Sequence, residues 1–559
     1  MTSAGQLMGG RVSLTPRPKR RREPALVAAL LGHLPGAVRL DRLRPDARAL
    51  MREAGLGEAV DHLDPRGLTP PSVTPDELAR IRALEHLPIP LAASAELDDI
   101  FPDARADDQP TGHRSLLAGS GVWLPQAVDD FFANGGERLW IVRIPPGEGR
   151  AGFQPRSLSL APPPVANPAA PGGCDELGPV GPLSLLRSLD LRGLATLLPI
   201  PEIAVIAAPD LERLLIAAGL PEIPRVRIPN AAPRFVPCGV SLDDDHRERR
   251  HGSEIPDRGQ TQPDADEPAC SLTLIRRIAA TLATWRPDCQ YLHTLPLTWS
   301  AAAGMPALHP AVAAALTADR GTRAGAALKR VQLLWPYLRG PRFALASPTG
   351  VIAGRMAAVA RAEGPWRSVA GRALVTDAAP WPPVGPSAVA ALRVTPGVGV
   401  LVQRSGRVEL EDERLAVPAL HADDYLPVGL PAWGVAADPA RWDGWRAGEV
   451  VRFIGFLLRR LRALGDRLVF DLDPRDPRPR LLLEELFRGL HAAGALRGAL
   501  PEEGFRLREG VAGAGIIAWD IELAPAFPID RLRLSFVNRH GEWQAGLLQE
   551  RTGAGVLND

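Results

Sequence analysis

The chain has 559 residues, with 65 basic and 64 acidic side chains and a formal charge of +1. This length suits roughly three or four domains, and the balanced charge lacks the basic excess that general binding to nucleic acid or acidic membranes needs. No apolar run reaches the roughly 18 residues of a transmembrane helix, so we expect no stable membrane insertion.

The first 112 residues form a region for which we predict short helices and loops. Helical spacing of apolar residues occurs at 25–34, 46–55 and 75–86, with proline-rich joints between these segments. The basic run KRRR before the first segment imitates a signal peptide. Because a histidine and a proline soon interrupt the apolar stretch and no clear cleavage site follows, we favour a surface helix with a basic cap.

Alternating helix and strand patterns run from 113 to 375. Residues 125–133 have a proline in the first turn and glycines after the last, which is typical of a short helix. Residues 138–144 are typical of a buried strand. Further strands are predicted at 203–207, 289–295 and 331–335, further helices at 271–285 and 350–361, and loops at 145–182 and 243–267. This order predicts a three-layer α/β domain with a mostly parallel sheet.

The remaining sequence divides into a β-rich connector at 376–435 and an α+β domain at 436–559. A helix at 448–464 places Val450, Ile454, Leu457, Leu461 and Leu464 on one face, and Arg452, Arg459 and Arg462 away from it. A strand at 467–472, a helix at 480–493 and strands near 504–508, 516–523 and 531–537 are predicted to follow.

Motifs for catalysis or cofactor binding are missing from the sequence. The eleven histidines form no HxxxH or HExxH pattern and the four cysteines form no CxxC pair, so no metal site is predicted. Isolated thiols suit synthesis in a reducing cytoplasm. The glycines at 510–515 have the reverse order of a dinucleotide fingerprint, and no P-loop occurs. Residues 347–350 (SPTG) lack the pattern of a nucleophile turn, and we expect Ser347 or Thr349 to cap a helix instead. We therefore predict no catalytic residue and no cofactor.

One segment carries a family resemblance. The sequence FFANGGERLWIVRI at 131–144 resembles contractile tail sheath proteins, in which a helix ends in FFxNGG and a strand ending in VVRV follows. Two aromatic residues anchor such a helix, the glycines end it, and the strand enters the sheet.

Further blocks resemble the same family in the same order. They are RGL to IAVIAAP at 192–209, LWPYL at 334–338, SPTGVIAGRMAA at 347–358, GPWRSVAG at 364–371, VRFI to RLVFD at 451–471 and LHAAGALRG at 490–498. The resemblance covers about residues 113–559. The usual PGVYVEE strand is missing, with GRVSLTP at 10–16 as the one candidate replacement, and GRVEL at 406–410 only echoes the usual R.VWGARTL strand. These departures indicate a divergent or accessory member.

The resemblance implies a structural subunit that is made in the cytoplasm and becomes part of a phage tail or phage-tail-like particle. Such subunits polymerise as stacked rings around an inner tube protein, together with baseplate and cap proteins, and contract without nucleotide hydrolysis. Their terminal arms add strands to the sheets of neighbours. The candidate donor strand consists of Arg531, Leu532, Arg533, Leu534, Ser535, Phe536 and Val537.

The expected layout places 436–559 against the tube and 113–375 outward. Candidate tube contacts are Arg475, Arg478 and Arg480, for which a solvated turn is the simpler interpretation. Two alternatives stay open: a non-contracting cap or baseplate adaptor on the same fold, and an α/β enzyme with dispersed catalytic residues, which predicts a deep pocket with convergent polar groups.

Overall fold

The computed structural model describes most of the chain between residues 24 and 548. The described ranges are 24–63, 73–105, 121–155, 187–216, 267–300, 305–308, 327–340, 345–385, 388–389, 392, 397–416, 447–468, 478–510, 516–526, 532–539 and 542–548. Residues 243–266 of the predicted loop at 243–267, much of the loop at 145–182 and residues 417–435 of the connector lie outside them. Glu267 itself begins a helix.

A sheet of nine strands forms the centre of the larger unit, which we call the sheet unit. Its strands are β1 (Val27–Gly32), β2 (Pro88–Leu91), β3 (Leu139–Arg143), β4 (Ile203–Ala207), β5 (Gln290–Thr294), β8 (Val331–Trp335), β10 (Ala373–Leu374), β12 (Val398–Arg404) and β13 (Arg407–Leu410). Two strand pairs lie beside it: β6 (Leu297–Ser300) with β7 (Met305–Leu308), and β9 (Tyr337–Arg339) with β11 (Ala379–Trp381).

Helices connect these strands and continue into the C-terminal residues. They are α1 (Pro45–Glu53), α2 (Gly57–Asp61), α3 (Pro75–Arg82), α4 (Ala95–Ile100), α5 (Leu124–Ala133), α6 (Pro209–Leu214), α7 (Glu267–Trp285), α8 (Thr349–Ala362), α9 (Gly448–Arg467), α10 (Arg478–Ala492) and α11 (Pro501–Gly504). The mixed α/β class is confirmed, and the helices and strands predicted between 113 and 375 occur within a few residues of their predicted bounds. The three-layer arrangement and the division of the chain at 112, 375 and 435 stay predictions.

The order of the strands is β10-β13-β12-β8-β5-β4-β1-β3-β2. The six strands from β12 to β3 are parallel, whereas β2, β13 and β10 are antiparallel to their neighbours. Because the chain passes from β1 to β3 on one side and then to β4 on the other, the sheet reverses its winding direction between β1 and β4. At such a point the loops diverge and leave a crevice beyond the strand ends.

The prediction of a helix at 25–34 was wrong, because residues 27–32 form β1 between β3 and β4. All six residues of this strand are buried. A strand that is covered on both faces has a continuous apolar run rather than an alternating one, and such a run also fits a buried helix. The apolar stretch after the basic run is therefore a core strand and not a surface helix.

The C-terminal unit is a four-stranded antiparallel sheet packed on helices, with a separate hydrophobic core. Its strands, in spatial order, are β14 (Phe505–Gly510), β15 (Ile516–Leu523), β16 (Leu532–Arg539) and β17 (Glu542–Leu548). Strands β14 and β15 flank the glycine-rich segment as an antiparallel hairpin. Strand β17 was not predicted, because its sequence EWQAGLL has weak alternation.

Helix α9 extends to Arg467 and Leu468 follows it in a turn, so the predicted strand at 467–472 is wrong at its first two residues, and 469–472 lie outside the described residues. The five predicted apolar residues are all buried in the C-terminal core. Arg452, Arg459 and Arg462 lie away from this apolar face, as predicted, but their side of the helix contacts the sheet unit, and the Arg452 side chain is only 2% exposed.

Candidate functional site

The crevice between β1 and β4 is the place where a doubly wound sheet would hold a ligand. Asp210, at the start of α6, is fully buried there. Its carboxylate accepts hydrogen bonds from the backbone N–H groups of His33 (3.0 Å), Trp123 (2.8 Å) and Leu124 (3.0 Å). Asp210 thus joins the end of β1 to the first turn of α5, and these groups fill the crevice. The Asp210 side chain has no exposed surface from which it could reach a ligand.

A second buried carboxyl group lies beside it, on Glu212. Its Oε1 accepts a hydrogen bond from the Thr294 N–H at 2.8 Å and lies 3.8 Å from His293 Nδ1. Burial raises the pKa of Glu212 to about 8 and lowers the pKa of His293 to about 3, so both side chains are neutral at pH 7. A neutral carboxylic acid can donate a proton, but neither side chain has any exposed surface from which it could reach a substrate.

The SPTG segment begins α8, as predicted, without a side-chain cap at the helix terminus. Ser347 Oγ accepts a hydrogen bond from the Thr349 N–H at 3.1 Å and lies 2.7 Å from Thr349 Oγ1. Both residues are buried. The prediction that Ser347 or Thr349 caps the helix was wrong, because Pro348 occupies the cap position and no side chain caps it. The bond from the Thr349 N–H to Ser347 belongs to the tight turn before the helix.

Helix α8 then packs directly on α5. A Cβ atom at Gly350 would lie 2.3 Å from the Ala127 carbonyl oxygen, and one at Gly354 would lie 2.2 Å from that of Phe131. Both distances are shorter than any real contact, so only glycine permits the two backbones to approach this closely.

The FFANGG segment ends α5 at this contact. The Phe131 ring is fully buried and covers Gly136, where a Cβ would lie 2.1 Å from the ring. Gly135 has a φ of +93°, which ends the helix. Asn134 is buried and forms hydrogen bonds with Val375. The predicted roles of the aromatic anchor and the glycine stop are therefore visible in the structure.

The seam between the sheet unit and the C-terminal unit contains buried charges. Arg452 of α9 donates to both carboxylate oxygens of Glu413, at 2.7 and 2.9 Å, and to the Arg367 carbonyl oxygen at 3.0 Å. Glu413 also accepts from Ser368 Oγ (2.7 Å) and from the Val369 N–H (2.8 Å). Both side chains of this buried ion pair thus have further hydrogen-bond partners besides each other. Such additional hydrogen bonds are the condition under which a buried ion pair is tolerated.

One turn and two turns further along, α9 contacts Asp288, just before β5. Arg459 donates to the Asp288 carbonyl oxygen at 2.6 Å. This approach requires Gly455, because a Cβ there would lie 2.3 Å from the same oxygen. The Asp288 carboxylate, with no exposed surface, forms two hydrogen bonds with Arg286 and lies 3.6 Å from Arg459 and Arg462. Burial opposes ionisation of Asp288, but these guanidinium groups hold its pKa well below the usual range.

The candidate donor strand at 531–537 lies in β16, apart from Arg531, which is outside the described residues. It pairs with β15 on one side and β17 on the other, both from its own chain. Leu534 and Phe536 are fully buried in the C-terminal core. Within this four-stranded sheet, β14 and β17 each pair on one side only, so their outer backbone edges are open to another strand.

The candidate tube contacts Arg478 and Arg480 are both exposed in the first turn of α10, whereas Arg475 lies outside the described residues. Arg480 Nε donates to Glu484 at 3.0 Å, an exposed pair one turn apart. The structure therefore places two of the three arginines together on one helix terminus.

A surface cleft is a further candidate site. A cleft of about 170 Å³ lies near the starts of β1 and β3, beside Arg44, Asp46, Glu137 and Arg138. Within the described ranges, no group of three or more His, Cys, Asp or Glu side chains has the geometry of a metal site. Nor does any described helix combine the length and apolar character of a membrane span.

Several solved structures are similar to this chain over most of its length. The chain is similar to the anti-feeding prophage sheath in its contracted state (13% identity, 94% of this chain and 97% of the other, TM-score 0.45). It is similar to the contracted PVC sheath of an extracellular contractile injection system (11%, 94% and 96%, 0.42) and to a sheath tail protein of Desulfitobacterium hafniense (9%, 95% and 100%, 0.41). These relatives are tail sheath proteins. No family model and no curated protein sequence matches the chain.

Sequence analysis missed the buried carboxylates at positions 210, 212, 288 and 413. A signal was present for Asp210, because a single acidic residue directly after the apolar run IAVIAAP lies at the carboxyl end of a predicted strand. Glu413 has no comparable signal, because Arg452 and Ser368 are distant in sequence. For Asp288 only Arg286 is local, and Arg459 and Arg462 lie in a distant helix.

Proposed function

We propose that this chain is a structural sheath subunit of a contractile phage tail or phage-tail-like particle, and that it acts by assembly rather than by catalysis. The observation that carries the proposal is the placement of the family-like sequence blocks. FFANGG ends α5 against α8, the strand after it is β3, IAVIAAP is β4, and SPTG begins α8. Blocks that are separated by up to two hundred residues thus build one contiguous packing unit, and their residues perform structural tasks.

We further propose that the subunit polymerises as stacked rings around an inner tube protein, with baseplate and cap proteins at the ends. A sheath-forming chain needs unpaired strand edges that a neighbour can extend. The C-terminal sheet has two such edges, at β14 and β17. Separately from these edges, we propose that residues 531–537 exchange between copies in the assembled particle. They take the place of a neighbour's own strand beside its β15, in the register that they adopt here within one chain.

The test of strand exchange uses the β15–β16 register. Asp520 lies opposite Ser535, and cross-strand neighbours have the Cβ separation that a disulfide requires. Two populations, one with Asp520→Cys and the other with Ser535→Cys, are co-assembled and oxidised. Exchange predicts a disulfide-linked dimer on non-reducing gels of the assembled fraction.

The matched control combines Glu522→Cys with Ser535→Cys, because Glu522 lies opposite Arg533 instead. Each variant is also oxidised alone, since the chain has four cysteines of its own. Assemblies without a linked dimer for the 520–535 mixture would exclude exchange. Electron microscopy of the same samples separates the remaining alternatives: stacked rings support a sheath, a single closed ring supports a cap or adaptor, and a stable monomer favours an enzyme.

We propose that α10 faces the tube through Arg478 and Arg480, with Arg475 beside them in sequence. The test is co-sedimentation of assembled sheath with tube protein. Arg480→Glu is expected to weaken binding by about tenfold or more at low salt, because a cation at the contact becomes an anion. Arg488→Glu, on another exposed part of α10, is the control and should leave binding unchanged. Equal loss in both variants would contradict a contact at the first turn.

A further inference from the structure

The charges around Asp288 do not balance. Three guanidinium groups, from Arg286, Arg459 and Arg462, lie within 4.0 Å of this carboxylate, and in the described residues all their ion pairs are with it. A fourth guanidinium belongs to Arg330, which directly precedes β8 where Val331 pairs with Tyr291 of β5, and its buried Nε atom has no hydrogen-bond partner. Among the described residues, the cluster therefore has one negative charge for four positive ones.

The guanidinium groups differ in their hydrogen bonds and in the exposed fraction of their side chains. Arg286 is almost completely buried and donates to the Ile200 and Ile203 carbonyl oxygens as well as to Asp288. The side chain of Arg459 is 13% exposed and that of Arg462 is 36% exposed. The cluster thus opens to solvent on the α9 side, where Arg459 and Arg462 each lie 3.6 Å from Asp288, outside good hydrogen-bond distance.

Positive charges that are partly buried and lack a matching negative charge raise the free energy of the folded protein. Burial lowers the pKa of Arg459, and Arg286 and Arg462 lower it further against the opposing effect of Asp288. Burial likewise lowers the pKa of Arg330. An anion with several oxygens could accept from several guanidinium groups at once, and charge-assisted bonds of this kind are the strongest hydrogen bonds in proteins.

We propose that Arg330, Arg459 and Arg462 form an oxyanion-binding site at the seam between the sheet unit and the C-terminal unit. Its ligand is a phosphate-like or carboxylate oxyanion, supplied either by free inorganic phosphate or by an acidic side chain of a second copy of the chain. Because Arg330 belongs to the sheet unit and the other two to α9, the bound anion fastens one unit to the other.

The experiment measures thermal unfolding of the full chain in sodium phosphate and in sodium chloride of equal ionic strength. Binding of a free anion raises the Tm of the wild type by about 2 °C when phosphate is at roughly ten times its Kd. Arg462→Gln removes the most exposed ligand and should abolish this rise. Arg488→Gln, which changes an exposed arginine of α10, should retain it.

A second arm detects an anion that comes from a second copy. Sedimentation velocity in phosphate-free buffer compares the wild type, Arg462→Gln and Arg488→Gln. Self-association that is lost only in Arg462→Gln assigns the anion to an acidic side chain of another copy, and a phosphate-dependent Tm rise that is lost only in Arg462→Gln assigns it to free phosphate. If Arg462→Gln and Arg488→Gln behave alike in both measurements, the proposal is wrong.

Discussion

The side-chain amide of Asn134 pairs with the backbone of Val375 in the manner of a neighbouring strand. Its Nδ2 donates to the Val375 carbonyl oxygen at 2.9 Å, and its Oδ1 accepts from the Val375 N–H at 2.8 Å. The same Nδ2 also donates to the Asp130 carbonyl oxygen, which lies in the last turn of α5. One side chain therefore joins the end of a helix to a segment 241 residues away in the sequence.

Asn134→Ala should lower the free energy of unfolding by about 2–3 kcal/mol, because three hydrogen bonds are lost and the backbone groups that made them are left partly buried without these partners. Val375→Ala is the matched control. The Val375 side chain is 57% exposed and only its backbone takes part, so the change should stay within about 0.5 kcal/mol. Urea unfolding measures both, and equal effects would contradict the backbone pairing.

Gly350→Ala and Gly354→Ala should each destabilise the protein by about 1–3 kcal/mol, because the new methyl group overlaps a carbonyl oxygen of α5. Helix propensity by itself favours alanine by about 1 kcal/mol. Gly489→Ala in α10 isolates that contribution, since a Cβ there has no neighbour within 4 Å, and it should stabilise slightly. Thermal unfolding that ranks Gly489→Ala with the other two would refute close helix packing as the cause.

Arg452→Met should cost about 3–5 kcal/mol, because the buried Glu413 carboxylate keeps its charge but loses its guanidinium partner. Arg480→Met breaks the exposed pair with Glu484 and should cost no more than about 0.5 kcal/mol. The double variant Arg452→Met/Glu413→Gln removes the unpaired charge and should recover part of the loss. A double variant as unstable as the sum of its single changes would show that the two side chains act independently.

Glu212 should make stability depend on pH. Its pKa is about 8 in the folded protein because of burial, whereas an exposed glutamate titrates near 4.3. Between these values the folded chain retains a proton that the unfolded chain has lost, so this group's contribution is complete below pH 4.3 and is lost as the pH rises through 8. Its effect is about 1.4 kcal/mol per pH unit over that interval.

Chemical denaturation from pH 5 to pH 9 tests this contribution by comparison of variants. Glu212→Gln has no proton to lose at this position. Its free energy of unfolding should therefore increase relative to that of the wild type as the pH rises. Glu485→Gln, on the exposed surface of α10, should follow the wild type at every pH. Parallel profiles for the wild type and Glu212→Gln would show that Glu212 is ionised in the fold.

The sequence by itself determined the elements whose pattern is local. The helix α5 was predictable from a proline in its first turn and glycines after its last, and β4 was predicted with its observed bounds from one β-branched run. The alternation of such elements also predicted the parallel centre of the sheet. The residues of FFANGG indicated their own roles, because a glycine stop and an aromatic anchor act within one turn of the helix that they end.

The tertiary structure decided everything that depends on a distant partner. Residues 27–32 are a strand because β3 and β4 cover both of their edges, and an apolar run does not specify that choice. Arg452 is buried because Glu413 meets it across the seam. Asp210 closes the crevice because two backbone segments, at 33 and 123–124, converge on it. Length and near-zero net charge constrained the class of protein, but the placement of individual charges follows from long-range packing, which residue patterns within one segment do not encode.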